Sequence, residues 1–197
     1  MNNSLVRAIY TDGSGNVGVC GYAAVVRFAD STTIELGGYE PDSTNLRAEL
    51  LGVITALEYL RANPQPLKAP IFSDSKYAID GLNEQWVSIW QQRSWLTIKG
   101  KPVVNRDLWE RLEALRSVPA TFHHLRGHTD AAGKKGRDAL AQNRACFGED
   151  TPLHNAGNQA ADRAADGFRL NWATLKPDEQ TDITAKAVSY VKNSLPD

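Results

Sequence analysis

The stretch Thr44 to Leu60, TNLRAELLGVITALEYL, constrains this chain more than any other. At about 100° per residue, Leu46, Leu50, Val53, Ile54, Leu57 and Leu60 fall on one face, the pattern of a helix turned towards a core. Thr44 or Asn45 can cap its start. Glu49 sits in the opening turns on the edge of the apolar stripe, away from the wet side that carries Arg47 and Glu58. A carboxylate there is costly unless it is paired or holds a metal. Something elsewhere in the chain has to answer it.

Ahead of that helix, Leu5 to Tyr10 reads as a strand that delivers Asp12 to its end, and Asp12-Gly13 taken alone reads as a hairpin turn. Val17–Phe28 and Thr33–Tyr39 read as two more strands, joined at the polar Ala29-Asp30-Ser31 break as an antiparallel hairpin. After the Asn63-Pro64-Gln65-Pro66 break, Ala69–Ser73 is a short buried strand ending at Asp74, and Ser75 to Gly81 resumes helical character. Alone, Asp74 or Ser75 is an ordinary helix cap. Leu108, Leu112 and Leu115 mark a helix over roughly 106–117, and Ala120–Leu125 a fifth strand leading into Arg126-Gly127-His128. Thr129–Gly157 is polar, with a short helix expected over Arg137–Cys146. Asn158–Arg169 reads as an Ala-rich helix with Asp162 in its opening turns, and Pro177–Leu195 as a docked terminal helix. Three strands in succession, then a helix, imply a sheet with its helices on one or both faces.

With 197 residues, one domain with a small appendage is expected. A formal charge of -1 argues against a polybasic binder but allows one local basic patch. From Glu84 to Arg106 there are four basic residues and one acidic one, interleaved with Trp86, Trp90 and Trp95. These tryptophans suit a helical subcore, and the basic residues suit a protruding handle that tracks phosphates. Cys20 and Cys146 have neither metal-site spacing nor disulfide density, which favours a reducing compartment. No signal-like or membrane-length apolar run is present, so a cytoplasmic protein with no membrane partner is expected.

Asp12, Glu49, Asp74 and Asp162 each have a dull explanation, but together they form a set that would repel itself without a multivalent cation. Hard oxygen ligands suit Mg²⁺, and two such ions roughly 4 Å apart can serve phosphodiester hydrolysis. A Walker-type glycine loop is missing from the sequence, which argues against an NTPase.

IYTDGSG, TNLRAEL, FSDSKYA, the Trp-rich segment WVSIWQQRSW…KGKPV, LRGHTD and GNQAADRAA, in that order, resemble type 1 ribonuclease H over roughly residues 5–168. The resemblance implies an α/β, ribonuclease H-like fold: a mixed five-stranded sheet flanked by helices over 1–170, with an insertion at about 129–157 and a helical extension at 171–197. It also implies an endonuclease that cuts the RNA strand of RNA–DNA hybrids, leaving 5′-phosphate and 3′-hydroxyl ends. Asp12, Glu49, Asp74 and Asp162 would be the ligands of two Mg²⁺ ions, for which Mn²⁺ substitutes, and His128 the mobile histidine that assists. Asn45 matches a family residue that contacts the hybrid, Thr44 resembles part of the phosphate-contacting loop, and the resemblance implies Ser14, Asn16 and Lys76 as further contact positions. The segment Trp86–Lys101, with Trp90, Arg93, Trp95 and Lys99, resembles the basic protrusion of the family. A monomer is expected.

Three departures stand out. The last acid of the family usually follows the loop histidine by about ten residues, the spacing of Asp138, whereas Asp162 lies much further on. Only Asp162 has the accompanying Asn four residues before it, so it is preferred; the insertion also offers His154 as a rival to His128. Gln91 and Gln92 stand where the protrusion is often lysine-rich, which implies weaker hybrid affinity. The terminal helix lies outside the resemblance. A catalytically silent hybrid-binding module and a related DNA-directed nuclease are the alternatives.

Overall fold

A computed structural model describes residues 5–15 and 17–174. Asn16 and the expected terminal helix lie outside the described residues, so both readings stand as expectations.

The first three strands, β1 (Val6–Ser14), β2 (Val17–Phe28) and β3 (Thr33–Thr44), form an antiparallel meander. Helix α1 (Asn45–Ala62) follows, and then β4 (Ala69–Ser73) pairs parallel with β1. Helices α2 (Lys76–Asn83), α3 (Trp86–Gln92) and α4 (Arg106–Ala114) lead to β5 (Ala120–His124), which pairs parallel with β4. Helix α5 (Lys134–Phe147), a single 3₁₀ turn and the long α6 (Thr151–Thr174) complete the described chain. The strand order is β3-β2-β1-β4-β5, the mixed five-stranded sheet that the family resemblance implies.

Strand alternation makes two cores. Ile9, Ala24, Val26 and Ile71 face α1, whereas Ala8, Tyr10, Ala23, Val25 and Phe72 face α6. Because α1 meets β1, β2 and β3 on one side and α4 on another, it is buried well beyond a single stripe, including Ala48, Leu51, Gly52, Thr55 and Ala56. Truncating Leu50, Ile54 or Leu57 to Ala in that core would cost about 2–5 kcal/mol. Leu46, expected on the core face, is instead 45% exposed in the first turn.

Three further expectations change. Asp12-Gly13 is not a turn: the ladder continues through Asp12↔Ala23, Gly13↔Tyr22 and Ser14↔Gly21, which keeps Asp12 inside the strand. The α5 helix starts earlier than Arg137, directly after Gly133, whose φ of 79° suits a residue without a side chain. The α6 helix starts at Thr151 rather than Asn158, so Asp162 stands about three turns in and the helix-end explanation for this acid lapses. Pro152 suits the first turn because no N–H is needed there.

Candidate active site

The parallel register Thr11↔Ser73 sets the next residues, Asp12 within β1 and Asp74 just past the end of β4, side by side near the carboxyl ends of these strands. This is where open α/β sheets place their chemistry. Glu49 arrives from α1, which comes close because Gly13 lacks a side chain; a Cβ there would stand 2.6 Å from the Glu49 amide nitrogen. One carboxylate oxygen from each of Asp12, Glu49 and Asp74 lies within 4.8 Å of the others. Asp12 and Glu49 are 6% and 7% exposed, and Asp74 is half-buried at the rim.

Burial, followed by the charge of Asp74, pushes the Asp12 carboxyl up to about 8, against the pull of the Gly13 N–H that donates to Asp12 Oδ1 at 2.7 Å. Burial and then Asp12 push Glu49 up as well, and burial raises Asp74. Asn45 Nδ2 donates to Glu49 Oε1 at 3.2 Å, while Glu49 Oε2 is buried without a hydrogen-bond partner among the described residues. Converging hard oxygens, mutual repulsion and an orphaned buried acceptor are the donor set that fits a divalent cation such as Mg²⁺.

Asp162, exposed on α6, is close enough for its charge to raise both Asp12 and Asp74. Asp138, its rival, is tied to Lys134 one turn earlier and lines the same cavity as Asp74. His128 is exposed on that cavity with φ 53°, and its charge lowers Asp74. His154 is elsewhere: its Nδ1 meets the Tyr10 hydroxyl at 3.0 Å, and its ring lies 4.2 Å from Phe72 and 4.9 Å from Phe147. Burial there pushes its pKa down, as for a packed core imidazole.

Two neighbours of the acids carry no charge, so residue type alone does not mark them in the sequence. Gly127 passes so near Asp74 that a Cβ would fall 1.8 Å from its Oδ2. Asn158 Nδ2 reaches Asp74 Oδ2 at 3.5 Å, and its Oδ1 is buried without a partner among the described residues. The one sequence hint of Asn158 is its place four residues before Asp162.

The expected substrate contacts divide. Thr44 is exposed at the N-cap of α1 and makes no side-chain cap, while Lys76 is exposed and pairs with Asp80. Ser14 is engaged elsewhere, its hydroxyl donating to Asp166 Oδ1 at 2.9 Å. Trp86, Trp90 and Trp95 pack with Tyr77 and the fully buried Trp109, ring centroids 5.3–6.3 Å apart, so they build the handle more than its surface. Arg106 caps Trp95 at 4.7 Å, while Arg93, Lys99 and Lys101 are exposed.

Residues 5–146 match the RNase H family model. Ribonuclease H of Thermosynechococcus vestitus is 40% identical over 139 residues, 70% of this chain and 87% of that protein. Ribonuclease H of Chlorobium phaeobacteroides is 42% identical over 136 residues, 68% of this chain and 90% of the other. In structure, the N-terminal RNase H domain of Rv2228c from Mycobacterium tuberculosis has TM-score 0.54 at 23% identity, covering 83% of this chain and 94% of that one. A foamy viral protease-reverse transcriptase in complex with an RNA/DNA hybrid has TM-score 0.59 at 18% identity, covering 85% of this chain and 20% of that one. The chain belongs to the RNase H family and is an enzyme of that kind. The sequence match closes at Cys146, so it takes in Asp138 and stops short of Asp162, whereas the structural likeness spans more of the chain. No helix among the described residues is long and apolar enough to cross a membrane.

Proposed function

We propose that this enzyme hydrolyses the RNA strand of RNA–DNA hybrids at the Asp12–Glu49–Asp74 cluster, leaving 5′-phosphate and 3′-hydroxyl ends. The observation that carries this is the buried triad itself, three carboxylates within 4.8 Å and one oxygen orphaned, in a chain of the RNase H family. Asp12, Glu49 and Asp74 would hold Mg²⁺, with Asp162 completing the set from α6. Bound there, two Mg²⁺ ions would supply Lewis-acid chemistry for phosphodiester hydrolysis.

The protein's own residues do the rest. Gly13 and Asn45 fix Glu49, the first by letting α1 approach and the second by its hydrogen bond. Asn158 and Gly127 fix Asp74 in the same two ways. His128, exposed on the loop beside Asp74, is placed to take a proton at its imidazole or to help product leave. Asn45, which bonds Glu49, would contact the hybrid with Thr44 and Lys76, and Arg93, Lys99 and Lys101 on the handle would track phosphates further along. Recognition of 2′-hydroxyls distinguishes the RNA strand.

The test is cleavage of end-labelled hybrid, duplex DNA and duplex RNA, with Mg²⁺ and with EDTA. Mg²⁺-dependent cutting confined to the RNA strand of the hybrid is expected. Binding without cutting would make the protein a silent module, and cutting of duplex DNA would make it a DNA-directed nuclease.

A further inference from the structure

Between β5 and α6 the chain builds something the proposed chemistry leaves unused. From Arg126 to Arg144 there are five basic side chains and two acidic ones, in a chain whose formal charge is -1. The fold sets this segment directly beside the acids. A cavity of about 480 Å³ opens there, lined by Asp74, His124 and His128 together with Arg126, Lys135 and Asp138. That volume lies within the roughly 300–1,000 Å³ usual for ligand pockets.

The basic wall is held in place from behind. Asn143, 2% exposed on α5, accepts from the Arg126 N–H at 2.7 Å and donates to the Arg126 carbonyl at 2.9 Å. Its amide also donates to Asn155 Oδ1 at 2.8 Å, which ties α5 to α6. Arg126 Nε donates to Gln142 Oε1 at 2.6 Å, which orients the guanidinium and leaves its terminal nitrogens without a protein partner among the described residues. Lys135 likewise has no hydrogen-bond or ion-pair partner among them. Of the two acids on the segment, Asp138 is neutralised by Lys134. Lys135 and Arg137 are exposed, so positive charge continues outward from the cavity.

We infer that Arg126 and Lys135 form a second phosphate-contacting wall, which grips the backbone of the strand being cut next to its scissile linkage. This rests on the hybrid-cleaving reading above. A polymer of phosphates fits better than a lone anion, because the charge runs from the rim of the acid cluster along an exposed helix rather than closing round a point. The wall follows β5, on the side of β4 away from β1, and it supplements a handle that carries Gln91 and Gln92 in place of charge.

The test compares wild type with the double variant Arg126→Gln/Lys135→Gln in steady-state cleavage of an RNA-labelled hybrid and in hybrid binding across a salt series. Removing a cation that neutralises one phosphate lowers the slope of log K against log salt by about 0.9, so the double variant should reduce the slope by about two. KM should rise several-fold while kcat falls far less, as for removal of uniform binding. The charge-preserving pair Arg126→Lys/Lys135→Arg should recover much of the loss. Lys68→Gln, at the opposite end of β4, should leave KM and slope alone. An unchanged KM and slope, a loss confined to kcat, or an equal loss from Lys68→Gln overturns the inference. Wild-type cleavage in the same assay tests the underlying reading separately.

Discussion

Replacing Asp12 by Asn should abolish cleavage and, without metal, make the protein more stable. The sign follows from linkage: the folded-state pKa of about 8 stands above the ordinary value of 3.8. Below the lower value both states carry the proton and the site costs nothing. As pH rises between the two values the unfolded chain releases a proton that the folded chain keeps, so stability falls by about 1.36 kcal/mol per pH unit. By pH 7 the upper bound on that loss is about 4 kcal/mol. Protons shared among three acids and solvent at the half-buried Asp74 rim reduce it to about 1–2 kcal/mol. Asn has the same shape and keeps an acceptor for the Gly13 N–H, so packing changes little. For a chain of this size the gain is about 2–8 °C in Tm. The assay is thermal unfolding in EDTA from pH 4 to 8, where the gap should open as pH rises; added Mg²⁺ should stabilise wild type more than the variant. A variant less stable than wild type at pH 7 in EDTA, or a gap independent of pH, would refute the reasoning.

Three further outcomes are expected. Asp162→Asn should lose nearly all Mg²⁺-dependent turnover while Asp138→Asn retains most of it; the reverse in a single-turnover assay would move the last ligand to α5. Gly127→Ala forces the loop off Asp74, and a displacement of about 1 Å can cost 10²-fold in rate; kcat at saturating hybrid should fall by that order with the fold intact by circular dichroism, and normal kcat would separate this loop from the chemistry. Tyr10→Phe removes the hydroxyl bonded to His154 and should cost about 1 kcal/mol in urea unfolding with activity kept; lost turnover would bring His154 back as the assisting histidine.

Much of this molecule is legible in its sequence because hydrophobic period reports directly on packing. Leu50, Ile54 and Leu57 mark α1, and alternation marks the strands. The acids are legible jointly: carboxylates at the end of β4, along β1 and on the inner edge of α1 make sense only if they meet. What stays hidden depends on proximity between distant segments. Gly13 and Gly127 matter for the side chain they lack, and no local pattern says which glycine abuts Glu49 or Asp74. Asn143 is polar in a polar stretch, and only the folded chain shows it buried and clasping the Arg126 backbone. The α6 start is hidden because Thr151-Pro152 reads as a break as readily as a first turn. Leu46 fits the helical stripe by angle, yet the first turn of α1 leaves it exposed.

The most direct test of the central claim, that Asp12, Glu49 and Asp74 together grip a divalent ion, is calorimetric titration of Mg²⁺ into wild type and Glu49→Gln at pH 7, in buffers of different ionisation enthalpy. Acids held above their ordinary pKa must give up protons when the ion binds, so wild type should take up Mg²⁺ with proton release. Glu49→Gln should bind far more weakly and release fewer protons. Equal affinity and equal proton release in the two proteins would contradict the account.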